Sequence, residues 1–208
     1  MADAIEFYFD FSSPYAYLAS EKIDDIAASF GRKVKWRPIL LGVVLKEAGG
    51  IALMSTPQKK DYALRDFARS ARFLGVPYTH PAGFPLATQI AARAYYWLLD
   101  QQAGVPRAAA HAGARAFAHA AFRAFFAEGR DISDAEVVLE LAAAQGADRA
   151  ALAEALSGQP LKDRLKAECA AALEKGVFGS PHFIVDGEPF FGADRLPQVE
   201  RWLENGGF

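Results

Sequence analysis

Two serines stand near the start of the chain, where an apolar run ends and a proline follows (Phe11-Ser12-Ser13-Pro14). Serine before proline is typical of a helix start, because the hydroxyl caps the helix and the proline fits its first turn. A helix N-terminus also has unpaired N–H groups and a positive dipole end, so it favours an anion. Ser13 is therefore either a cap that stabilises a helix by about 1 kcal/mol, or a hydroxyl that hydrogen-bonds a reactive anion.

A thiolate is an anion well suited to such a helix start, because thiolates at helix N-termini have a lowered pKa. This chain has one cysteine, Cys169, and no Cys-x-x-Cys pair, so an internal disulfide is excluded and disulfide exchange at Ser13 is disfavoured. A thiolate at Ser13 would therefore have to come from a molecule other than this chain. A serine-hydrolase interpretation is poor, since no Gly-x-Ser-x-Gly motif occurs.

The elements that position Ser13 can be predicted from periodicity. Residues 5–11 (IEFYFDF) alternate apolar and polar residues, which predicts a β-strand. An amphipathic helix follows and stops at Gly31, and residues 33–39 predict a second strand. Strand, helix and strand at this length predict a right-handed βαβ unit with parallel strands.

The strand signal returns only near the end of the chain. In residues 177–192 (VFGSPHFIVDGEPFFG), Asp186-Gly187 separates two apolar runs and predicts a β-hairpin. A helix is expected before the hairpin and another after it, whereas residues 45 to about 155 read as alanine-rich helices. We therefore expect an α/β fold, a four-stranded mixed sheet in the order βαβ…ββα, formed by residues 1–44 and 160–208, with residues 45–159 inserted as an all-α domain.

Three short stretches carry a family resemblance. They are FDFSSPYAYL (residues 9–18), VFGSPHF (177–183) and FGADRL (191–196). They resemble the FDFxSPxxYL and VFGxPxF…FxGxDRL signatures of the 2-hydroxychromene-2-carboxylate isomerase family, over nearly the whole chain. That family belongs to the thioredoxin-fold group that contains DsbA-like oxidoreductases and kappa-class glutathione transferases. The resemblance implies a thioredoxin-like fold with a large helical insertion.

The resemblance also implies a set of site residues for glutathione as cofactor. Ser13 is expected to be catalytic and to hold the glutathione thiolate, and the residue before a cis proline to bind the tripeptide through its backbone. An acidic–basic pair is expected near the γ-glutamyl end. A serine replaces the asparagine that the family often has before the first insertion helix. The implied cofactor-binding residues are Ser13, Ser180, Pro181, Asp194, Arg195 and Ser55.

Composition limits the partners. With 208 residues, 52% hydrophobic content and a net charge of −2, the chain suits one compact domain and gives no indication of nucleic acid or an anionic membrane as partner. Its start (MADAIEFYFDF) shows no secretory signal pattern, so a reduced, cytoplasmic setting is expected. His111 and His119 are eight residues apart on one predicted helix, where Arg115 completes a basic face, so no metal site is expected.

The functional prediction is a glutathione-dependent cis–trans isomerase of aromatic catabolism, a homodimer by resemblance, with a small aromatic carboxylate as substrate. One alternative is a kappa-like glutathione transferase, and a second is a cysteine-less thioredoxin-fold protein that binds a partner without catalysis. The substrate carboxylate is expected to pair with one of several basic residues near the start of the insertion, and the sequence does not favour any one of them. Those residues are Lys46, Lys59, Lys60, Arg65 and Arg69.

Overall fold

The computed structural model describes residues 4–100 and 107–208. Within these ranges no helix is long and apolar enough to cross a membrane. In chain order the elements are β1 (Ile5–Phe9), α1 (Pro14–Ser29), β2 (Val34–Pro38), α2 (Leu41–Glu47), α3 (Pro57–Leu74), α4 (Gln89–Asp100), α5 (Arg107–Phe126), α6 (Ala135–Ala143), α7 (Arg149–Ser157), α8 (Gln159–Glu174), β3 (His182–Val185), β4 (Glu188–Phe191), a 3₁₀ turn (Ala193–Arg195) and α9 (Leu196–Asn205).

The sheet has four strands in the order β2-β1-β3-β4. β1 runs parallel to β2 and antiparallel to β3, and β3 is antiparallel to β4. The hairpin turns at Asp186 and Gly187, which have φ angles of 53° and 91°, the left-handed region that such a two-residue turn requires. The predicted mixed sheet with its βαβ and ββα halves is confirmed.

The first strand is shorter than the predicted residues 5–11, because it ends at Phe9. The carboxylate of Asp10 accepts a hydrogen bond from the Ser12 N–H at 2.7 Å and another from the Leu41 N–H at 2.5 Å. These bonds turn the chain out of the sheet and into α1. Phe11 nevertheless remains fully buried, as the alternation predicts, but Tyr8 and Asp10 on the opposite face of the pattern are buried as well.

Helix α2 was not predicted. It has only seven residues, and its N-cap, Leu40, makes no side-chain capping bond. The Leu41 N–H is satisfied instead by Asp10, 31 residues earlier in the chain. Because the start of this helix depends on a tertiary contact, local sequence patterns do not reveal it.

The sheet and the inserted helices share one aromatic core. Phe7 stacks on Phe183 across β1 and β3 at 5.2 Å between ring centroids. Phe9, on the same strand as Phe7, contacts Phe122 of helix α5 at 5.4 Å. The helical insertion therefore packs directly on the central strand of the sheet, and its position relative to the sheet is fixed by buried rings.

The predicted basic face of α5 packs on acidic residues of α1. His119 lies between two carboxylates, with Nδ1 3.6 Å from Glu21 Oε1 and Nε2 3.7 Å from Asp24 Oδ2. Burial alone would lower the pKa of His119, but the nearby carboxylates of Asp24 and Glu21 outweigh burial and raise it. Arg115 adds an ion pair with Asp24 at 3.3 Å.

This arrangement predicts a stability contribution that depends on pH. Because the pKa of His119 is higher in the folded state, the contribution is complete below the unfolded value of about 6.5 and is lost as pH rises through the folded value. We expect His119→Gln to lower the free energy of unfolding by about 1 kcal/mol at acidic pH, and by less at pH 9. Urea unfolding at the two pH values checks this, and an equal loss at both would show that packing, not charge, is responsible.

Candidate functional site

Five of the six predicted site residues line one cleft of about 1110 Å³, which lies between the turn at Ser13, where β1 leads into α1, and the helical insertion. Its polar wall comes from the thioredoxin-like part of the chain, and its apolar wall comes mainly from the insertion. The polar wall includes residues 12–14, 179–181 and 192–195, and the apolar wall includes residues 51–54, 67, 73, 74, 84 and 85. Such a volume exceeds the roughly 300–1,000 Å³ of ordinary small-molecule sites, so it has room for a tripeptide and a second ligand.

Ser13 is a helix cap and a hydrogen-bond donor at the same time. Its Oγ accepts a hydrogen bond from the Ala16 N–H at 3.2 Å, the capping bond of α1. The same hydroxyl donates to the backbone carbonyl of Ser180 at 3.1 Å. The side chain is 4% exposed and lies in the cleft wall, so its donated hydrogen bond is the part that a ligand could redirect.

Ser180 precedes a cis proline, as predicted for the Ser180–Pro181 bond. Its carbonyl accepts the Ser13 hydroxyl, and its Oγ accepts a hydrogen bond from the Asp10 N–H at 2.9 Å. No described residue accepts a hydrogen bond from the Ser180 N–H. The backbone of Ser180 therefore offers a free donor and an exchangeable acceptor at the cleft.

Two glycines let the polar wall close around the cis proline. A Cβ at Gly179 would lie 2.4 Å from the Phe191 ring, so a larger residue would displace that ring. Gly192 has φ of +108°, and a Cβ there would lie 2.3 Å from Asp194 Oδ1. The glycines of the VFGxP and FxGxD motifs are thus explained by close approach and by backbone conformation.

The remaining predicted residues differ in position. Asp194 and Arg195 form a 3₁₀ turn on the polar wall and pair with each other at 3.1 Å. Ser55 is exposed in the loop before α3, one residue beyond Met54, and does not line the cleft. Within the described part of the chain, no group of three His, Cys, Asp or Glu side chains could hold a metal ion.

Sequence reasoning missed the importance of Asp10. Its carboxylate is 3% exposed and accepts hydrogen bonds from the N–H groups of Ser12 and Leu41 and, at 2.8 Å, from the hydroxyl of Thr88, the residue before α4. The sequence feature that could have indicated this role is the position of the aspartate, at the end of a predicted buried strand and directly before Ser12 and Ser13. Asp10 joins the corner, α2 and the start of α4.

A second missed feature is the contact between Tyr15 and Asp66. The Tyr15 hydroxyl, two residues after Ser13, donates to Asp66 Oδ2 of α3 at 2.5 Å. Burial, this hydrogen bond and the negative charge of Asp66 raise the pKa of Tyr15, so the phenol stays protonated. The Tyr15 ring also packs edge-to-face on Phe67 at 5.0 Å. The contact thus connects the first turn of α1 to the wall of the insertion.

Comparison with known proteins first defines the class. A family model described as a DSBA-like thioredoxin domain matches residues 4–204. The chain is also similar to glutathione S-transferase kappa 1 of Rattus norvegicus, at 24% identity over 96% of this chain and 92% of that protein. This protein is therefore a member of the DSBA-like thioredoxin family.

The more specific comparisons agree with one another. A 2-hydroxychromene-2-carboxylate isomerase of Sphingobium xenophagum is 32% identical over 98% of this chain and 99% of its own length. A solved structure of a selenomethionine-substituted 2-hydroxychromene-2-carboxylate isomerase superposes with a TM-score of 0.84 at 28% identity, covering 97% of this chain and 94% of that one. Within the DSBA-like family, the chain belongs to the 2-hydroxychromene-2-carboxylate isomerases.

The contacts of Asp10 predict a large loss of stability when they are removed. In Asp10→Ala, the N–H groups of Ser12 and Leu41 and the Thr88 hydroxyl lose their acceptor. We expect the free energy of unfolding to fall by about 2–4 kcal/mol, measured by urea unfolding at neutral pH. A matched control is Asp134→Ala, which removes only the exposed N-cap of α6 and should cost about 1 kcal/mol. Equal losses in the two variants would contradict the role given to Asp10.

His182, next to the cis proline, is buried without a partner. It is 1% exposed, and neither ring nitrogen has a hydrogen-bond partner among the described residues. Burial lowers its pKa to about 4, so the folded protein holds the ring neutral.

The buried ring predicts sensitivity to acid. Between pH 6.5 and 4 the unfolded chain binds a proton that the folded His182 does not, so stability is complete above about 6.5 and falls as pH falls. We expect this group to remove about 2–3 kcal/mol by pH 4. In His182→Leu, of similar volume, that part of the loss should vanish in urea unfolding measured from pH 7 to 4. An unchanged pH profile in the variant would show that other groups cause the acid sensitivity.

Proposed function

We propose that this protein is a glutathione-dependent cis–trans isomerase that interconverts 2-hydroxychromene-2-carboxylate and trans-o-hydroxybenzylidenepyruvate. The observation that carries the proposal is the Ser13 hydroxyl, which lies at a helix start and donates to the Ser180 carbonyl in the wall of a large cleft. The corner has no cysteine of its own. The names of the relatives, at up to 32% identity over nearly the full length, support this reaction class.

The residues of the polar wall suit glutathione. A peptide backbone pairs with a free N–H and an available C=O, as strands do, and Ser180 has both. Asp194 would bind the α-ammonium group of the tripeptide, and Arg195 lies beside it for the adjacent α-carboxylate. We retain Ser55 only as a predicted contact, because it lies outside the cleft lining.

When bound, glutathione supplies a thiolate nucleophile, which can divide rotation about a conjugated double bond into easier steps. The task of the chain is to hold that thiolate ionised. Ser13 would do so by turning its hydroxyl proton from the Ser180 carbonyl to the sulfur, while its oxygen still accepts the capping bond from Ala16. The positive N-terminal end of the 16-residue helix α1 would also stabilise the thiolate. The exchange would also free the Ser180 carbonyl for the peptide N–H of glutathione.

A kappa-type transferase is the second candidate, because the rat kappa enzyme is similar over 96% of this chain. It would use the same sulfur site. The two activities differ in stoichiometry, since an isomerase returns glutathione and a transferase consumes it. The isomerase is favoured by the higher identity of the isomerase relatives over the full chain. A partner-binding protein without catalysis would not bind glutathione at all.

The proposed use of glutathione also bears on the cellular compartment of the protein. A free thiol cofactor requires a reducing compartment, so we propose a cytoplasmic location. The one cysteine, Cys169, is buried, which is compatible with that setting. We also retain the homodimer as a prediction.

The proposal predicts separate effects of Ser13→Ala on affinity and on ionisation. The variant should bind glutathione in its thiol form with nearly unchanged affinity, because the backbone of Ser180 is intact. The pKa of the bound thiol should rise by about one unit or more, and turnover should fall by about 100-fold. Calorimetry at low pH measures affinity, and the ultraviolet absorbance of the thiolate measures ionisation.

Ser29→Ala is the matched control, because Ser29 is the last residue of the same helix α1, is exposed and does not line the cleft. This control should keep both the thiol pKa and the turnover. Full turnover in Ser13→Ala would reduce Ser13 to a helix cap. No binding of glutathione by the unmodified protein would exclude both enzymatic candidates.

A further inference from the structure

Helix α3 presents one continuous stripe of side chains to the cleft. Its members are Lys59, Tyr62, Asp66, Ser70 and Phe73. Their spacings of three and four residues place them on a single helix face. The rest of this wall is largely apolar, so an acidic side chain in the middle of it requires an explanation.

The Asp66 carboxylate is nearly, but not completely, saturated with donors. Oδ2 accepts from the Tyr15 hydroxyl at 2.5 Å, and Oδ1 accepts from Arg69 and, at 3.4 Å, from the Tyr62 hydroxyl. A carboxylate has about four acceptor positions, so the described donors leave one open. The side chain is 17% exposed and lines the cleft.

The charge of Asp66 is maintained by the same contacts. Burial alone would raise its pKa, but the hydrogen bonds from Tyr15, Arg69 and Tyr62 outweigh burial and lower the pKa. The open acceptor position on this charged carboxylate would suit a ligand group that donates a hydrogen bond without carrying negative charge. A hydroxyl group on an aromatic ring is such a donor, and the ring itself suits the apolar residues around Asp66.

We propose that α3 recognises the substrate at two points, with Asp66 accepting a hydrogen bond from its hydroxyl group and Lys59 pairing with its carboxylate. The inference rests on the proposed function, because it assigns the ends of that substrate. Lys59 and Asp66 are seven residues apart, which places them on the same face and about 10 Å apart along the axis at roughly 1.5 Å per residue. That separation suits the two polar ends of a hydroxyaryl keto acid.

The structure selects Lys59 among the basic residues near the insertion. Of the five candidates there, only Lys59 lines the cleft among the described residues. Arg69, the other basic residue close to Asp66, is already paired with it. Lys59 has no ion pair with any described carboxylate. The negative charge of Asp66 would repel a carboxylate placed at its own end, so the two residues together fix the direction of binding.

Calorimetry with unreactive probes tests the inference independently of turnover. The probes are 3-(2-hydroxyphenyl)propanoate and its 2-methoxy analogue, which cannot donate to Asp66, each with and without saturating glutathione. The unmodified protein should bind the hydroxy probe about 10-fold or more tightly than the methoxy probe, as expected for a hydrogen bond to a charged group. Asp66→Asn should abolish that preference, and Lys59→Gln should weaken both probes equally while keeping it.

Neighbouring residues of the same helix provide matched controls. Asp61→Asn and Lys60→Gln remove the same charges from exposed positions that do not line the cleft, and both should bind the probes as the unmodified protein does. Equal binding of the two probes by the unmodified protein, or a preference that survives in Asp66→Asn, would overturn the inference. Weaker binding of glutathione itself in Asp66→Asn would overturn it too, by assigning the open position to the tripeptide. If the unmodified protein did not bind glutathione, the proposed function would be refuted. The preference for the hydroxy probe is also measured without glutathione, so failure of the inference and failure of the proposed function can be distinguished.

Discussion

The geometry of the cleft depends on one buried carboxylate, that of Asp10. Burying an ionised group without hydrogen bonds is strongly unfavourable, and here the donors come from the corner itself, from α2 and from the residue before α4. The backbone of Asp10 adds two further bonds, because its N–H donates to Ser180 Oγ and its carbonyl accepts from the Ser13 N–H at 2.9 Å. The carboxylate is satisfied only when these segments are assembled together, so its burial fixes their mutual position.

That assembly explains why the two interpretations of Ser13 are compatible. A hydroxyl has one proton to donate and two lone pairs to accept with. The capping bond from Ala16 uses a lone pair, and the bond to the Ser180 carbonyl uses the proton. Redirecting the proton to a ligand therefore leaves the start of α1 intact. A structural role and a chemical role can occupy the same oxygen without competing.

The sequence predicted those features that are encoded locally. Alternating residues in β1, the Ser-Pro start of α1 and the Asp186-Gly187 turn each depend on neighbours in the chain, and each is present in the fold. The five predicted site residues that line the cleft lie within short motifs, so a resemblance could identify them. Their functional roles remain predictions.

Features that depend on contacts between distant parts of the chain could not be predicted from local sequence patterns. The start of α2 relies on Asp10, and the Tyr15–Asp66 bond joins residues 51 positions apart. The alanine-rich pattern of α3 indicated a helix, but it did not show which side of that helix would face the cleft. Ser55 was assigned from a position in a family pattern, and the loop that carries it places Ile51 to Met54 in the cleft wall instead. In these cases the deciding partner is far away in the chain.

The order of strands in the sheet has a consequence for synthesis of the protein. β1 is a central strand, and its two neighbours come from residues 34–38 and 182–185. A nascent chain can therefore pair one edge of β1 early, but its other edge stays open until most of the polypeptide has left the ribosome. Long-range pairing of this kind is slow and leaves strand edges vulnerable to aggregation. Helix α5 precedes β3 in the chain and packs on Phe9 through Phe122, so one face of β1 can be covered before its second edge is paired.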